Sequence, residues 1–166
     1  MEYDFYPRAK GVEMASAIDV AAYVLEQVDN VTTMKLQKLV YYSQARHLVL
    51  YGSPLFSNRI EAWANGPVSP DLFRVHSGKY MVGRGGMGTS GSSSALLGPQ
   101  QEIVDRVVSL LGSYSGEQLR EMTHSEDPWV NARRGYAPGE RCDVEISPDA
   151  MLRYYSSPVC ANPIAH

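Results

Sequence analysis

The densest group of reactive side chains in the chain is His124-Ser125-Glu126-Asp127, which contains the residue types of a hydrolase triad. Adjacent residues rarely point at one reacting atom, so a triad is normally assembled from distant segments. No strand–turn–helix pattern of a nucleophile elbow surrounds Ser125. A corner between two helices explains the segment better: His124 ends one helix, Asp127 caps the next, and Pro128 takes its first position. We therefore predict no catalytic residue, with an enzyme that uses His124 and a distant carboxylate as the alternative.

Metal and cofactor sites are not predicted either. None of the four histidines is followed by another at i+3 or i+4, the helical spacing that would place two imidazoles on one metal ion. Two cysteines, Cys142 and Cys160, are too few for a zinc site or a disulfide framework. The Gly/Ser-rich stretch 83–94 lacks the Gly-Lys-Ser/Thr ending of a phosphate-binding loop, and no apolar strand precedes it. We interpret this stretch as a flexible insertion.

Length and composition are typical of one small globular domain. The chain has 166 residues, of which 44% are hydrophobic, and a formal net charge of −3. Without an excess of Lys and Arg, nucleic acid is disfavoured as a partner. No apolar run approaches the roughly 20 residues that a transmembrane helix needs, so no membrane partner is expected. The absence of a secretory signal and the low cysteine content predict a cytoplasmic protein.

Hydrophobic periodicity and capping residues predict a mainly α fold. Helices are expected over 16–28, from 32 or 33 to 51, over 99–111 and 115–123, and as short helices that start at 69, 127 and 147. A small β-hairpin is expected near residues 59–68, with Asn65-Gly66 at its turn. The predicted organisation is an N-terminal tail over 1–15, a compact helical single domain over 16–156, and a disordered C-terminal tail over 157–166.

The second predicted helix carries two different stripes of side chains at 100° per residue. The apolar stripe, which should be buried, includes Leu36, Leu39, Val40 and Leu50. The polar stripe, which should be exposed, consists of Lys35, Lys38, Tyr42 and Arg46. This second stripe is either an ordinary solvated face or a surface for an acidic partner or a phosphate backbone.

Trp63 and Trp129 are the only tryptophans in the chain. They either pack in the core or line a groove for a partner, because Trp, Tyr and Arg are favoured anchors of protein interfaces. The candidates for partner binding are therefore Lys35, Lys38, Tyr42, Arg46, Trp63 and Trp129.

Three sequence segments follow one another in a fixed order: MKLQKLVYYSQ at 34–44, IEAWANGPV at 60–68 and THSEDPW at 123–129. Together they resemble the Panacea domain, the antitoxin module of bacterial and phage toxin–antitoxin pairs, and the similarity extends over about 18–155. The resemblance implies a compact, mainly helical fold with a small β-element near the second segment. It also implies a protein without catalytic residues that neutralises a cognate toxin by direct protein contact.

A cognate toxin protein is thus the expected partner, in a homo-oligomer or a toxin–antitoxin hetero-oligomer. Two other functions stay open. The first is a DNA-binding regulator of its own operon, which the acidic composition disfavours. The second is an adaptor that delivers a toxin to a protease, in which case the toxin would be lost over time.

Overall fold

Capping side chains start the helices where the sequence predicts them. The computed structural model describes residues 14–166, and it confirms a mainly α-helical fold. Its helices are α1 (Ala17–Gln27), α2 (Thr33–Tyr51), α3 (Pro70–His76), α4 (Gly98–Leu111), α5 (Gly116–His124), α6 (Asp127–Ala132) and α7 (Pro148–Tyr155). Ser16 and Ser115 each form a reciprocal capping box with the residue three positions later. Gly52 ends α2 in the left-handed conformation, with φ of 68°.

Helix α2 runs through the middle of the molecule. It packs against α1, α4, α5 and α7, and every residue over 36–45 is buried. Leu36, Leu39 and Val40 are buried, as predicted. The prediction for Leu50 is wrong: its side chain is 52% exposed, because the last turn of α2 is only partly covered by its neighbours.

The predicted hairpin is formed by β2 (Glu61–Trp63) and β3 (Gly66–Val68), which pair antiparallel. Its turn is Ala64-Asn65 and not the predicted Asn65-Gly66, because Gly66 already pairs with Trp63. A third extended segment adds to its outer side, since the Ala62 N–H donates to Val144 O and the Ile146 N–H donates to Ile60 O. A second sheet was not predicted. Its strands β1 (Val31–Thr32) and β4 (Met81–Val82) have two residues each, too few to show the period-two pattern of a strand.

The Gly/Ser-rich stretch 83–94 lies against α1. The Ser92 N–H donates to Asp19 Oδ1 at 2.8 Å. Gly91 lies so close to α1 that a Cβ at this position would come within 2.7 Å of Ile18. These contacts to α1 do not depend on apolar content, from which the flexibility of the stretch is predicted.

The C-terminal residues 157–166 lie against the helices. Cys160 and Ile164 are buried, and the 3-10 helix Pro163–Ala165 packs against α2 and α4. Of the predicted N-terminal tail, residues 1–13 lie outside the described part of the chain. No helix over 14–166 is long and apolar enough to cross a membrane.

Candidate partner-binding site

The three segments that carry the family resemblance meet at one place in the fold. Three hydrogen bonds join them in pairs: Lys38 Nζ to Pro67 O (3.2 Å), Tyr42 Oη to Glu126 Oε1 (2.6 Å) and Trp129 Nε1 to Trp63 O (2.8 Å). Each segment is thus bound to the other two, the first and third through side chains and the second through its backbone carbonyls. We call this meeting point the motif junction.

Glu126 is the centre of a buried hydrogen-bond cluster in the motif junction. Its Oε1 accepts from Tyr42 at 2.6 Å and from Tyr155 at 2.8 Å, and its Oε2 accepts from Asn162 Nδ2 at 2.7 Å. Burial raises the pKa of this carboxyl, and the three donors act in the opposite direction. Because the carboxylate is enclosed and satisfied by these donors, its contacts are those of a structural residue.

Lys38 and Tyr42 are buried, which overturns the prediction of an exposed polar stripe on α2. The Lys38 side chain is 1% exposed and lies beneath the β2–β3 hairpin, where its Nζ reaches Pro67 O. Tyr42 is fully enclosed next to Glu126. The reason is that α2 is covered on both of its stripes, and the helical period separates the stripes without revealing what packs on each.

The two other members of the polar stripe are half-buried and bound within the chain. Lys35 Nζ donates to Gly112 O, at the end of α4. Arg46 Nη1 donates to Ile164 O at 2.9 Å, which ties the C-terminal residues to α2. The predicted stripe is therefore a set of contacts between α2 and its neighbours.

The helix corner at residues 124–128 is formed as predicted, except that the N-cap of α6 is Glu126 instead of Asp127. The His124 ring stacks on Trp129 with centroids 3.8 Å apart and planes 9° apart. Burial, with a smaller contribution from Arg120, lowers the pKa of His124 to about 4. His124 is therefore neutral near pH 7 and acts as a packing partner of the indole.

An open groove lies beside the motif junction, between the hairpin, α3 and residues 139–143, and has a volume of about 540 Å³. Trp63 and Phe73 form its floor, with ring centroids 4.9 Å apart at 68°. Trp63 Nε1 donates to Glu61 Oε1 at 2.9 Å, which fixes the indole. Phe73 is 38% exposed, so an aromatic surface faces solvent here.

Charged side chains stand at the rim of this groove. Arg141 and Asp143 both line it, and both are exposed. Within residues 14–166, neither side chain forms a salt bridge. An aromatic floor with a polar rim is the usual composition of a protein-binding surface.

Of the six residues predicted to bind a partner, only Trp63 lines the groove. Trp129 lies behind it and holds the Trp63 carbonyl, while the four residues of α2 lie elsewhere. Phe73, Arg141 and Asp143 were not singled out from the sequence. In the sequence, Phe73 is one of several apolar residues of a short helix, and the segment around Arg141 has no hydrophobic periodicity. Over residues 14–166, no group of three or more His, Cys, Asp or Glu side chains is placed to hold a metal ion.

Residues 36–130, more than half of the chain, match the protein family described as antitoxin SocA-like, Panacea domain. The chain belongs to this family. It is also 31% identical over 128 residues to antitoxin SocA of Caulobacter vibrioides, an alignment that covers 71% of the chain and 63% of that protein. The chain thus spans less than two thirds of the length of this relative. No solved structure matches the chain.

The matched region of this SocA-like chain contains all the residues whose hydrogen bonds join the three segments at the motif junction. It also contains Trp63 and Phe73, the floor of the groove. Arg141 and Asp143, at the rim, lie beyond the matched region. The floor and the rim of the groove are therefore drawn from different parts of the chain, one inside and one outside the family match.

Proposed function

We propose that this protein is an antitoxin that neutralises a cognate protein toxin by binding it directly, without catalysis. The observation that carries the proposal is membership of the SocA-like antitoxin family, together with a relative that is itself named an antitoxin. The two side chains with hydrolase-like chemistry support the non-catalytic part. Glu126 is enclosed by three donors, and His124 is stacked on an indole.

The groove beside Trp63 is the surface that we propose for the toxin. Its floor offers two aromatic rings in a rigid arrangement, and aromatic side chains contribute large contact areas at a small cost in conformational entropy. The volume of about 540 Å³ is large enough for an apolar side chain of a partner and the backbone beside it. The second family segment supplies Trp63, one of the two aromatic residues of the floor. The family resemblance and the geometry therefore both point to this groove.

The rim supports a partner that is a protein. Arg141 and Asp143 both line the groove and carry opposite charges. A nucleic acid backbone would be attracted by the first and repelled by the second, whereas a protein surface can offer a partner to each. The formal net charge of −3 points in the same direction.

The proposal is tested with the toxin encoded beside this gene, recognised as a reading frame that is lethal alone and tolerated when this chain is present. Phe73→Ala and Arg141→Glu are measured against wild type by titration calorimetry and by co-expression rescue. Tyr80→Ala is the matched control, since Tyr80 is 77% exposed and does not line the groove. We expect Phe73→Ala to weaken binding by at least about tenfold, as loss of an interface anchor does, and the control to bind like wild type.

Three results would contradict this proposal. Unchanged affinity and rescue in both folded groove variants would remove the groove from the interface. A toxin that disappears over time in the presence of this chain, instead of accumulating in a complex, would indicate a protease adaptor. Salt-dependent shifting of operator DNA by the chain, without any binding to the toxin, would indicate a DNA-binding regulator.

A further inference from the structure

Lys38 is a buried cationic side chain without a carboxylate partner. It is 1% exposed, and over the described residues 14–166 its side chain donates one hydrogen bond, from Nζ to Pro67 O at 3.2 Å. Over residues 14–166, no carboxylate forms a salt bridge with it. Removing an ammonium from water without pairing it is costly, so the fold around Lys38 favours the uncharged amine.

The groups that face Lys38 from the neighbouring elements increase this preference. Helix α3 contributes His76, and helix α5 contributes Arg120 and His124, all of them basic. The hairpin contributes only the Pro67 carbonyl and the backbone of its turn. Near pH 7 and above, Arg120 is positively charged whereas His76 and His124, whose pKa values are lowered, are neutral. An ammonium at Lys38 would therefore be repelled by Arg120 on α5 and would find neutral groups on α3 and on the hairpin.

The turn of the hairpin closes directly over Lys38. Gly66 has φ of 114°, a conformation that side chains rarely adopt, and a Cβ there would lie 2.5 Å from Lys38 Cε and 3.1 Å from Nζ. Gly66 pairs with Trp63 across the hairpin, and Trp63 lines the groove. A displacement of the turn that gives water access to Lys38 would thus also move the floor of the groove.

We propose that Lys38 is a proton-controlled latch beneath the β2–β3 hairpin: the uncharged amine keeps the hairpin closed on α2, and the ammonium favours its opening. The latch itself is a property of the isolated chain. Its consequence for toxin binding, a looser groove when Lys38 is charged, rests on the proposed function.

The direction of the pH dependence follows from the two states of Lys38. In the closed hairpin, burial, with a further contribution from Arg120, lowers the pKa of Lys38 to about 7 from an ordinary value of 10.5. In the open hairpin, solvated Lys38 returns towards the ordinary pKa. Between pH 7 and 10.5 the open form binds one more proton than the closed form. The equilibrium constant for opening therefore falls as pH rises, by up to about tenfold per pH unit. Below pH 7 both forms are charged, and Lys38 contributes no further change.

Native-state amide hydrogen exchange of the chain alone tests the latch. The reporters are the hairpin amides, including the Ala62 N–H that donates to Val144 O, followed from pH 7 to 9 after correction for base-catalysed intrinsic exchange. We expect their protection in wild type to rise by up to about tenfold per pH unit. Amides in the middle of α4 report global unfolding and separate it from opening of the hairpin.

Lys38→Met, which keeps the length of the side chain without its charge, should make the protection of the hairpin independent of pH in this range. Lys35→Met is the matched control, because Lys35 lies on the same helix and its ammonium bonds Gly112 O outside the hairpin. Lys35→Met should show the same pH dependence of hairpin protection as wild type. A wild-type protection that does not change with pH, or a rise that persists in Lys38→Met, would overturn the proposal.

A measurement on wild type keeps the proposal testable if Lys38→Met does not fold. The ¹³C shift of the Lys38 Cε, assigned in the folded protein, should titrate with a midpoint near 7. A midpoint near the ordinary value of 10.5 would overturn the latch. Neither experiment contains the toxin, so failure of the latch leaves the proposed function standing, and failure of toxin binding leaves the latch standing.

Discussion

Trp129 Nε1 donates a hydrogen bond to the backbone carbonyl of Trp63 at 2.8 Å. The two tryptophans, which are equivalent candidates in the sequence, therefore have different positions. Trp63 lines the groove, and Trp129 holds the strand that carries Trp63. Arg133 reinforces this arrangement, because its Nη1 donates to Ala62 O at 2.8 Å and its guanidinium lies 5.2 Å from the Trp129 ring centroid. Residues of α6 and its C-terminal end thus hold strand β2, which carries Trp63 of the groove.

Replacing Trp129 with Phe tests this support. The variant keeps an aromatic ring next to His124 and loses the N–H that reaches Trp63 O. We expect a loss of about 1 kcal/mol in the free energy of unfolding, the usual contribution of one hydrogen bond, plus the cost of the carbonyl left without this donor. Urea denaturation measures the stability, and exchange of the β2 amides measures the local effect. Stability and exchange equal to wild type would show that the hydrogen bond does not hold the hairpin.

Removing the carboxylate of the buried cluster should be more damaging. Glu126→Leu removes the carboxylate that accepts from Tyr42, Tyr155 and Asn162, and each buried donor left unsatisfied costs about 1–3 kcal/mol. We expect a loss of at least about 3 kcal/mol by urea denaturation. Glu121→Leu is the control, since its side chain is largely exposed and its ion pair with Arg120 is a surface contact that contributes about 0–1 kcal/mol.

The middle and the last turn of α2 can be compared through two leucines of its apolar stripe. Leu39→Ala removes a fully buried side chain and should cost about 2–5 kcal/mol, the range for large-to-small core substitutions. Leu50→Ala should cost less than about 1 kcal/mol, because half of this side chain is in solvent. Thermal melts of the two variants measure the difference. Equal losses would contradict the position of the last turn of α2.

Acid should destabilise the protein through its buried histidines. Burial lowers the pKa of His47 and His76, and lowers that of His124 to about 4, from an ordinary value of 6.5. At these three histidines, the unfolded chain therefore binds more protons than the folded one below pH 6.5. Stability should be greatest above that pH and fall as pH decreases towards 4, where the contribution of His124 is lost.

His124→Phe isolates one histidine in this comparison. The variant keeps a ring for Trp129 to stack on and removes the titrating group, while His47, His76 and Glu126 are retained. Its midpoint temperature should fall less steeply than that of wild type between pH 6.5 and 4. Parallel curves for the two proteins would contradict the lowered pKa of His124.

Local signals in the sequence predicted most of the secondary structure. Ser16 and Ser115 start helices through hydrogen bonds to residues three positions away. The predicted hairpin forms between its two strands, with its turn one residue earlier than expected. These interactions involve groups within a few residues of one another, so a short stretch of sequence contains all the information they require. The short strands β1 and β4 had no such signal, because a two-residue strand depends entirely on its partner.

The candidate site was predicted only in part. Trp63 was expected either to pack in the core or to line a groove for a partner, and it lies in the groove beside the hairpin. Lys38 and Tyr42 were expected at the surface, and both are buried. Their amphipathic pattern is the same whether a polar stripe meets water or meets the carbonyls and carboxylates of another element. The element that packs on the polar stripe decides between these cases, and the sequence of α2 alone does not identify that element.

By itself, the sequence determined the class of fold, the starts and ends of the helices, the hairpin and the family. Only the tertiary structure decided which of the motif residues are buried and which face a partner. Lys38 is 29 residues from Pro67, and Tyr42 is 84 residues from Glu126. Capping and turn formation depend on the nearest residues, whereas the environment of a side chain depends on surfaces that chain folding brings together from such distances.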